Sequence, residues 1–169
     1  MDKIIQFINE ERARLWITAE GLSEEQLNDQ SEPEKWSVMQ VLQHLYLIEK
    51  SITRSIQDHI KKVDVLATEN KPIHLTVDRT TKVEAPDYVI PSREFTTMQT
   101  MRDRLEGSRK ALLELVSGTD HDEMCKKGFK HPIFGMLNLE QWVEFIGYHE
   151  KRHIFQIEEI IADKLINKQ

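Results

Sequence analysis

Apolar residues recur at helical spacing in four separate segments, and this periodicity constrains the fold of the 169-residue chain more than any other feature. The first segment runs from about Lys3 to Glu20, with Ile5, Ile8, Leu15, Trp16 and Ala19 on one stripe and Gly21 as its stop. Ser23 to Gln26 reads as a short capped turn. The second begins at Ser37, where Gln40 three residues on completes a capping-box signature, and Val41, Leu45, Ile48, Ile52 and Ile56 carry one face to about Lys62. Ser92 is the expected cap of the third, with Phe95, Met98, Leu105, Leu112, Leu115 and Val116 inward and Gly118 as its end. The last begins at Asn138, whose side chain can cap while Gln141 reaches back, and Trp142, Phe145, Ile146, Ile157 and Ile160 mark its buried stripe. Between the second and third segments, Pro72, Pro86 and Pro91 break any period over residues 67–91. A second irregular stretch covers residues 119–137 and carries no strong strand signal. The expectation is an all-α fold, a four-helix bundle with a long crossover connection between the second and third helices, in a single domain over residues 1–169.

Composition narrows the function classes. The net charge is −6, with 23 basic and 29 acidic residues, which argues against a general binder of nucleic acid. The longest apolar runs, Leu45–Ile48 and Ile133–Leu137, fall far short of the ~20 residues a membrane span needs. The start, Met1 to Gln6, lacks a basic region followed by an apolar one, so no signal peptide is expected. Cys125 has no partner for an intrachain disulfide, which fits a reducing, cytoplasmic location.

Of seven histidines, His59, His74 and His121 sit in polar or irregular surroundings. His44 is different: it lies three residues after Val41 and four before Ile48, on the inward face. His149 and His153 form an i, i+4 pair on the stripe of Trp142 and Ile160, roughly 40° apart around the axis. Neutral imidazoles in a dry core need partners for both nitrogens, and protonated ones repel. A divalent metal resolves both difficulties by taking one nitrogen from each ring. His44, His149 and His153 are therefore the candidate metal ligands.

The string His149-Glu150-Lys151-Arg152-His153 also matches the H-E-x-x-H metalloprotease pattern. Too little chain follows His153 to supply a third ligand from another element, and Gln156 and Glu159 stand where the longer pattern needs Gly and His. Glu150 then reads as a solvated or supporting residue and not as a general base.

Trp36-Ser37, His44-Leu45, Glu49, His131-Pro132-Ile133-Phe134-Gly135, Trp142 and His149-x-x-Arg152-His153-x-x-Gln156-Ile157 together resemble the DinB-like superfamily, and within it the metal-dependent hydrolases and bacillithiol transferases. The resemblance spans nearly the whole chain. It implies a four-helix bundle with a long second connection and a divalent metal, often nickel or zinc, held by three histidines that fall on His44, His149 and His153. It also implies a homodimer. Gln40 departs from an acidic residue common in the family.

Three protein ligands leave coordination positions open, the pattern of catalytic and not structural zinc. Such a site can activate water for hydrolysis or a low-molecular-weight thiol for transfer to an electrophile. The expectation is a metal-dependent transferase or hydrolase acting on a small molecule, with its catalytic groups beyond the metal unassigned. The competing expectation is a metal-dependent binding or stress-response module without turnover. Cys125 shows no paired base in sequence, the three tryptophans read as core, and Arg102, Arg104, Arg109 and Lys110 read as the wet face of the third helix.

Overall fold

The computed structural model describes residues 1–62, 69–80 and 83–166, with side chains through Lys164. Residues 67, 68, 81 and 82 of the expected connection lie outside the described residues. Six α-helices are present among the described residues: α1 (Asp2–Ala19), α2 (Glu24–Asn28), α3 (Val38–Ile60), α4 (Met98–Ser117), α5 (His121–Lys126) and α6 (Leu139–Ile166). The four long ones, α1, α3, α4 and α6, form the bundle. Helix α1 packs on α6, α3 packs on α4, and α3 also packs on α6.

The helix starts are set by local chemistry. Ser37 and Gln40 form a complete capping box at α3, as Ser23 and Gln26 do at α2. Gly21, at φ +84°, turns the chain out of α1 in a conformation that L side chains rarely adopt. Asn138 caps α6 through its side-chain oxygen, which accepts from the Gln141 N–H at 2.7 Å. Gln141 does not reach back. Its side-chain NH₂ instead donates to the Lys71 carbonyl at 3.2 Å, fastening the long connection to α6.

Helix α4 starts later than its sequence signal. Thr97, not Ser92, is the cap, and its hydroxyl accepts from the Thr100 N–H at 3.2 Å. Ser92 Oγ accepts from Glu94 N–H at 3.4 Å, a local turn that competes with helix, and Phe95 is 62% exposed. The Glu24 carboxylate also accepts from the Met98 N–H, placing a negative charge at the positive end of α4.

A second departure is a β-hairpin within the stretch expected to be irregular. β1 (Gly128–His131) pairs antiparallel with β2 (Gly135–Asn138), in a register of Phe129 with Leu137 and His131 with Gly135. Its three-residue loop, 132–134, leads into Gly135, whose φ of +75° is a conformation that favours glycine. Strands this short are hard to tell from loop by periodicity.

The core contains a polar centre to which every long helix contributes one charged residue. Arg12 of α1 donates to Glu49 of α3 at 2.6 Å and also to Glu150 of α6. Arg109 of α4 donates to Glu49 at 3.1 Å and to Glu150 at 2.9 Å. The remaining donors are used as well: Arg12 reaches the Leu105 carbonyl at 2.8 Å, and Arg109 reaches the Ile8 carbonyl at 2.5 Å. Ser108 Oγ donates to Glu49 at 3.1 Å. All four charged residues are buried. Arg109 is thus not on a wet face, because its guanidinium is drawn inward by two carboxylates. Glu150 is not solvated for the same reason.

Removing one member strands charges in the core. Arg109→Ala is expected to cost about 3–5 kcal/mol, because Glu49 and Glu150 then share one guanidinium. Urea unfolding followed by circular dichroism measures it, and an unchanged midpoint would contradict a structural role for this cluster.

Candidate metal centre

Helix α3 supplies His44, and α6 supplies His149 and His153 one turn apart. The structure brings these three together, as their spacing on inward faces predicts. The ring centroids of His44 lie 5.2 Å from His149 and 4.8 Å from His153, and the latter two are 4.5 Å apart. One nitrogen from each ring lies within 4.8 Å of the others. His44 and His153 are buried, whereas His149 is partly exposed and marks the side facing solvent.

The orientation of two rings is fixed from behind. His44 Nδ1–H donates to the Val89 carbonyl at 2.8 Å. A carbonyl can only accept, so the Nδ1 nitrogen carries the proton and Nε2 keeps its lone pair. His153 Nδ1–H donates to Gln156 Oε1 at 2.7 Å, which leaves its Nε2 unprotonated in the same way. The Nε2 atoms of His149 and His153 stand 3.3 Å apart. Two nitrogens bound at roughly 2.0–2.1 Å to one tetrahedral zinc lie about 3.4 Å apart. Rings held by an acceptor on the far nitrogen are the usual arrangement around a protein-bound metal. The donor set thus fits a divalent cation.

Electrostatics act in the same direction. Burial lowers the proton affinity of His44, against the pull of the Val89 carbonyl. Burial, then the positive charge that protonated His153 and His44 would present, holds His149 well below the ordinary histidine range. His153 is lowered similarly, by burial and then by His44. All three rings are neutral at pH 7 and offer lone pairs.

Several neighbours shape the site. Trp36 packs its ring 4.9 Å from that of His44, and Phe145 lies 5.5 Å from His149. Arg152, between the two α6 histidines, donates to the Thr76 carbonyl at 3.1 Å and to the Asp78 carbonyl, and so clamps the 3₁₀ turn Ile73–Val77 onto α6. His131 sits on β1 with its ring 4.7 Å from that of Phe145. Its Nδ1 accepts the N–H groups of Ile133 and Phe134, at 3.0 and 3.3 Å, so Nε2 carries its proton. Burial lowers this ring's pKa to about 4.

Glu150 lies away from the histidines, engaged by Arg12 and Arg109, which removes the metalloprotease reading. Sequence reasoning missed Val89. Its carbonyl comes from a 3₁₀ turn, Asp87–Val89, in the proline-broken connection, and backbone groups carry no sequence signature. The orienting role of Gln156 was missed as well, although its place three residues beyond His153 on the same helix is a signal that could have found it.

Comparison with known proteins identifies the family. The model of the DinB superfamily matches residues 8–157. The chain belongs to the DinB superfamily. It is 32% identical over 156 residues to YuaE, an uncharacterized protein of Bacillus subtilis (strain 168), covering 92% of this chain and 96% of that one. Among solved structures it resembles YfiT from Bacillus subtilis, described as a probable metal-dependent hydrolase with an unusual four-helix bundle topology. The TM-score is 0.65 at 20% identity, covering 96% of this chain and 86% of YfiT. It also resembles TT2238, described as a four-helix bundle protein, with a TM-score of 0.64 at 19% identity over 94% of this chain and 98% of that one. The all-α bundle expected from sequence is thus the observed fold, with the hairpin as its addition.

The buried neutral rings link stability to pH. The unfolded chain protonates its histidines near 6.5, while the folded rings resist protonation at that pH. Below about 6.5 the unfolded state therefore binds more protons, and stability falls with pH over the window down to the folded values, about 4 for His131. The thermal midpoint of metal-free protein is expected to drop steadily from pH 7 to pH 5. A flat profile over that range would contradict the assignment of buried neutral rings.

Proposed function

We propose that this protein is a divalent-metal enzyme in which His44, His149 and His153 hold the ion and leave coordination positions open for a small-molecule reaction. The observation that supports it most directly is the convergence of three neutral imidazoles, two of them with their far nitrogens committed to Val89 and Gln156. YfiT, with the same fold, is described as a probable metal-dependent hydrolase.

A divalent cation bound there supplies Lewis acidity toward a low-molecular-weight thiol or a water. The chain's own residues do the rest. His44 and His153 are held in one tautomer by their rear acceptors, so the donor set costs little reorganisation. Trp36 and Phe145 wall the site with apolar rings, limiting competing water. His149, on the more open side, faces the approach of a substrate. The substrate class in this reading is a small electrophile that receives the thiol, with hydrolysis of a small molecule as the related reaction. Zinc or nickel is the expected ion, and the reading places a homodimer of single-domain chains in the cytoplasm.

Elemental analysis of Cys125→Ser protein, in which the chain's one thiol cannot compete as a ligand, should find about one divalent ion per chain. His44→Ala, and separately His149→Ala with His153→Ala, should abolish it while circular dichroism stays helical. Full occupancy in the double variant would remove the site. Incubating loaded protein with a panel of low-molecular-weight thiols and monochlorobimane should give adduct formation that chelation stops. Metal binding without any turnover, on thiols or on hydrolysable esters and amides, would replace this reading by a metal-dependent binding module.

The Gln156 contact gives an independent test. Gln156→Leu removes the acceptor behind His153 and should weaken metal affinity about 10–100-fold without unfolding the bundle. Calorimetric titration of the metal-free variant with zinc measures it, and an unchanged affinity would deny Gln156 its orienting role.

A further inference from the structure

A second cluster of ligating side chains lies where α5 meets the start of α6. His121 and Cys125 occupy i, i+4 positions on α5, and Glu140 stands in the first turn of α6. His121 Nε2 lies 3.1 Å from Glu140 Oε1. Cys125 Sγ lies 3.7 Å from His121 Nε2 and 3.7 Å from Glu140 Oε2. One donor atom from each residue falls within 4.8 Å of the other two.

These separations are those of a tetrahedral zinc site. With a zinc–sulfur bond of about 2.3 Å and zinc–nitrogen or zinc–oxygen bonds of about 2.0–2.2 Å, tetrahedral angles put sulfur about 3.6 Å from either light atom. The same geometry puts nitrogen and oxygen about 3.4 Å apart. His121 faces Oε1 of Glu140 and Cys125 faces Oε2, so one ion would be shared through both carboxylate oxygens or after a rotation of the carboxylate. Their chemistry agrees: thiolate, imidazole and carboxylate together suit a borderline-soft divalent cation better than calcium or magnesium.

We propose that His121, Cys125 and Glu140 form a second metal site, specific for zinc-class divalent cations and independent of the histidine centre. Glu140 precedes His149 by nine residues on one helix, which separates the two sites by roughly 13.5 Å along its axis. His121 is well exposed and Glu140 partly so, so the site is open to exchange with solvent. Without a cation, the Met1 amino group at 3.5 Å and the His121 ring share the Glu140 carboxylate. Burial and the adjacent Glu140 then hold the Cys125 thiol above its ordinary range. Metal binding replaces the thiol proton, which leaves to solvent, by a metal–sulfur bond. The site would make the state of the protein's single thiol depend on available zinc.

The single cysteine makes the test specific, because any sulfur-to-metal signal reports this site and not the histidine centre. Intact protein is titrated with cobalt(II) under reducing conditions, and the sulfur-to-cobalt charge-transfer absorption is followed. The expected result is a band that saturates at one thiolate per chain, independent of protein concentration. It is lost in Cys125→Ser and weakened at least about tenfold in apparent affinity in His121→Ala and Glu140→Gln. Zinc should displace the cobalt band and slow alkylation of Cys125 by at least about tenfold. His44→Ala should leave both readouts unchanged. Absence of the band would overturn the proposal, as would a band that survives both His121→Ala and Glu140→Gln with undiminished affinity.

Discussion

Two arginines and two glutamates, one from each long helix, meet at the centre of the bundle, and the arrangement of the helices depends on their meeting. Each ion was costly to take out of water, and each recovers that cost only when it faces the others. Arg12 and Arg109 both bridge Glu49 to Glu150, so the four charges cancel and no carboxylate faces a single partner. Apolar stripes alone would tolerate sliding or rotation of one helix on another, because hydrophobic contact is non-directional. A charged cluster with fixed hydrogen-bond geometry does not. Its consequence for the site is rotational: Glu150 is turned toward the arginines, and its neighbour His149 is thereby turned about 100° away, toward His44.

The same helix α6 thus carries two kinds of polar burial. Glu150 is stabilised by opposite charges from other helices. His149 and His153 face each other and His44, with the neutral Gln156 amide behind His153, and depend on neutrality instead. The first kind is self-sufficient, and the second is chemically incomplete without an electrophile. That difference supports reading the arginine–glutamate cluster as architecture and, in the proposed function, the histidine cluster as the metal centre, although the two lie one residue apart in sequence.

The long connection between α3 and α4 completes the centre instead of merely crossing over. Its 3₁₀ turns bring the Val89 carbonyl to His44, and Arg152 and Gln141 of α6 hold other parts of it through backbone carbonyls. Polar side chains of the last helix thereby read the connection's backbone, and this is why a proline-rich segment without a helical period can take a defined place. The hairpin is fixed to α6 in a comparable way. Its Phe129 stacks on Trp142 at 4.2 Å, and His131 closes its turn by accepting two backbone N–H groups.

What the sequence by itself determined was whatever depends on neighbours along one helix. The period of 3.6 residues placed the apolar stripes, Ser37 with Gln40 placed the start of α3, and the same period put His44, His149 and His153 on inward faces. Only the tertiary structure decided what depends on other elements. Arg109 and Glu150 look like surface charges because each one's partners lie dozens of residues away or more, on other helices. The start of α4 moved from Ser92 to Thr97 because Ser92 and Thr96 are drawn into contacts with Gln43 and Asn28. The acceptor behind His44 is a main-chain carbonyl, identical in every residue, and so invisible until the chain is folded. Cys125 showed no paired base in the sequence; the fold of α5 puts His121 one turn before it, and packing brings the Glu140 carboxylate to both from another helix.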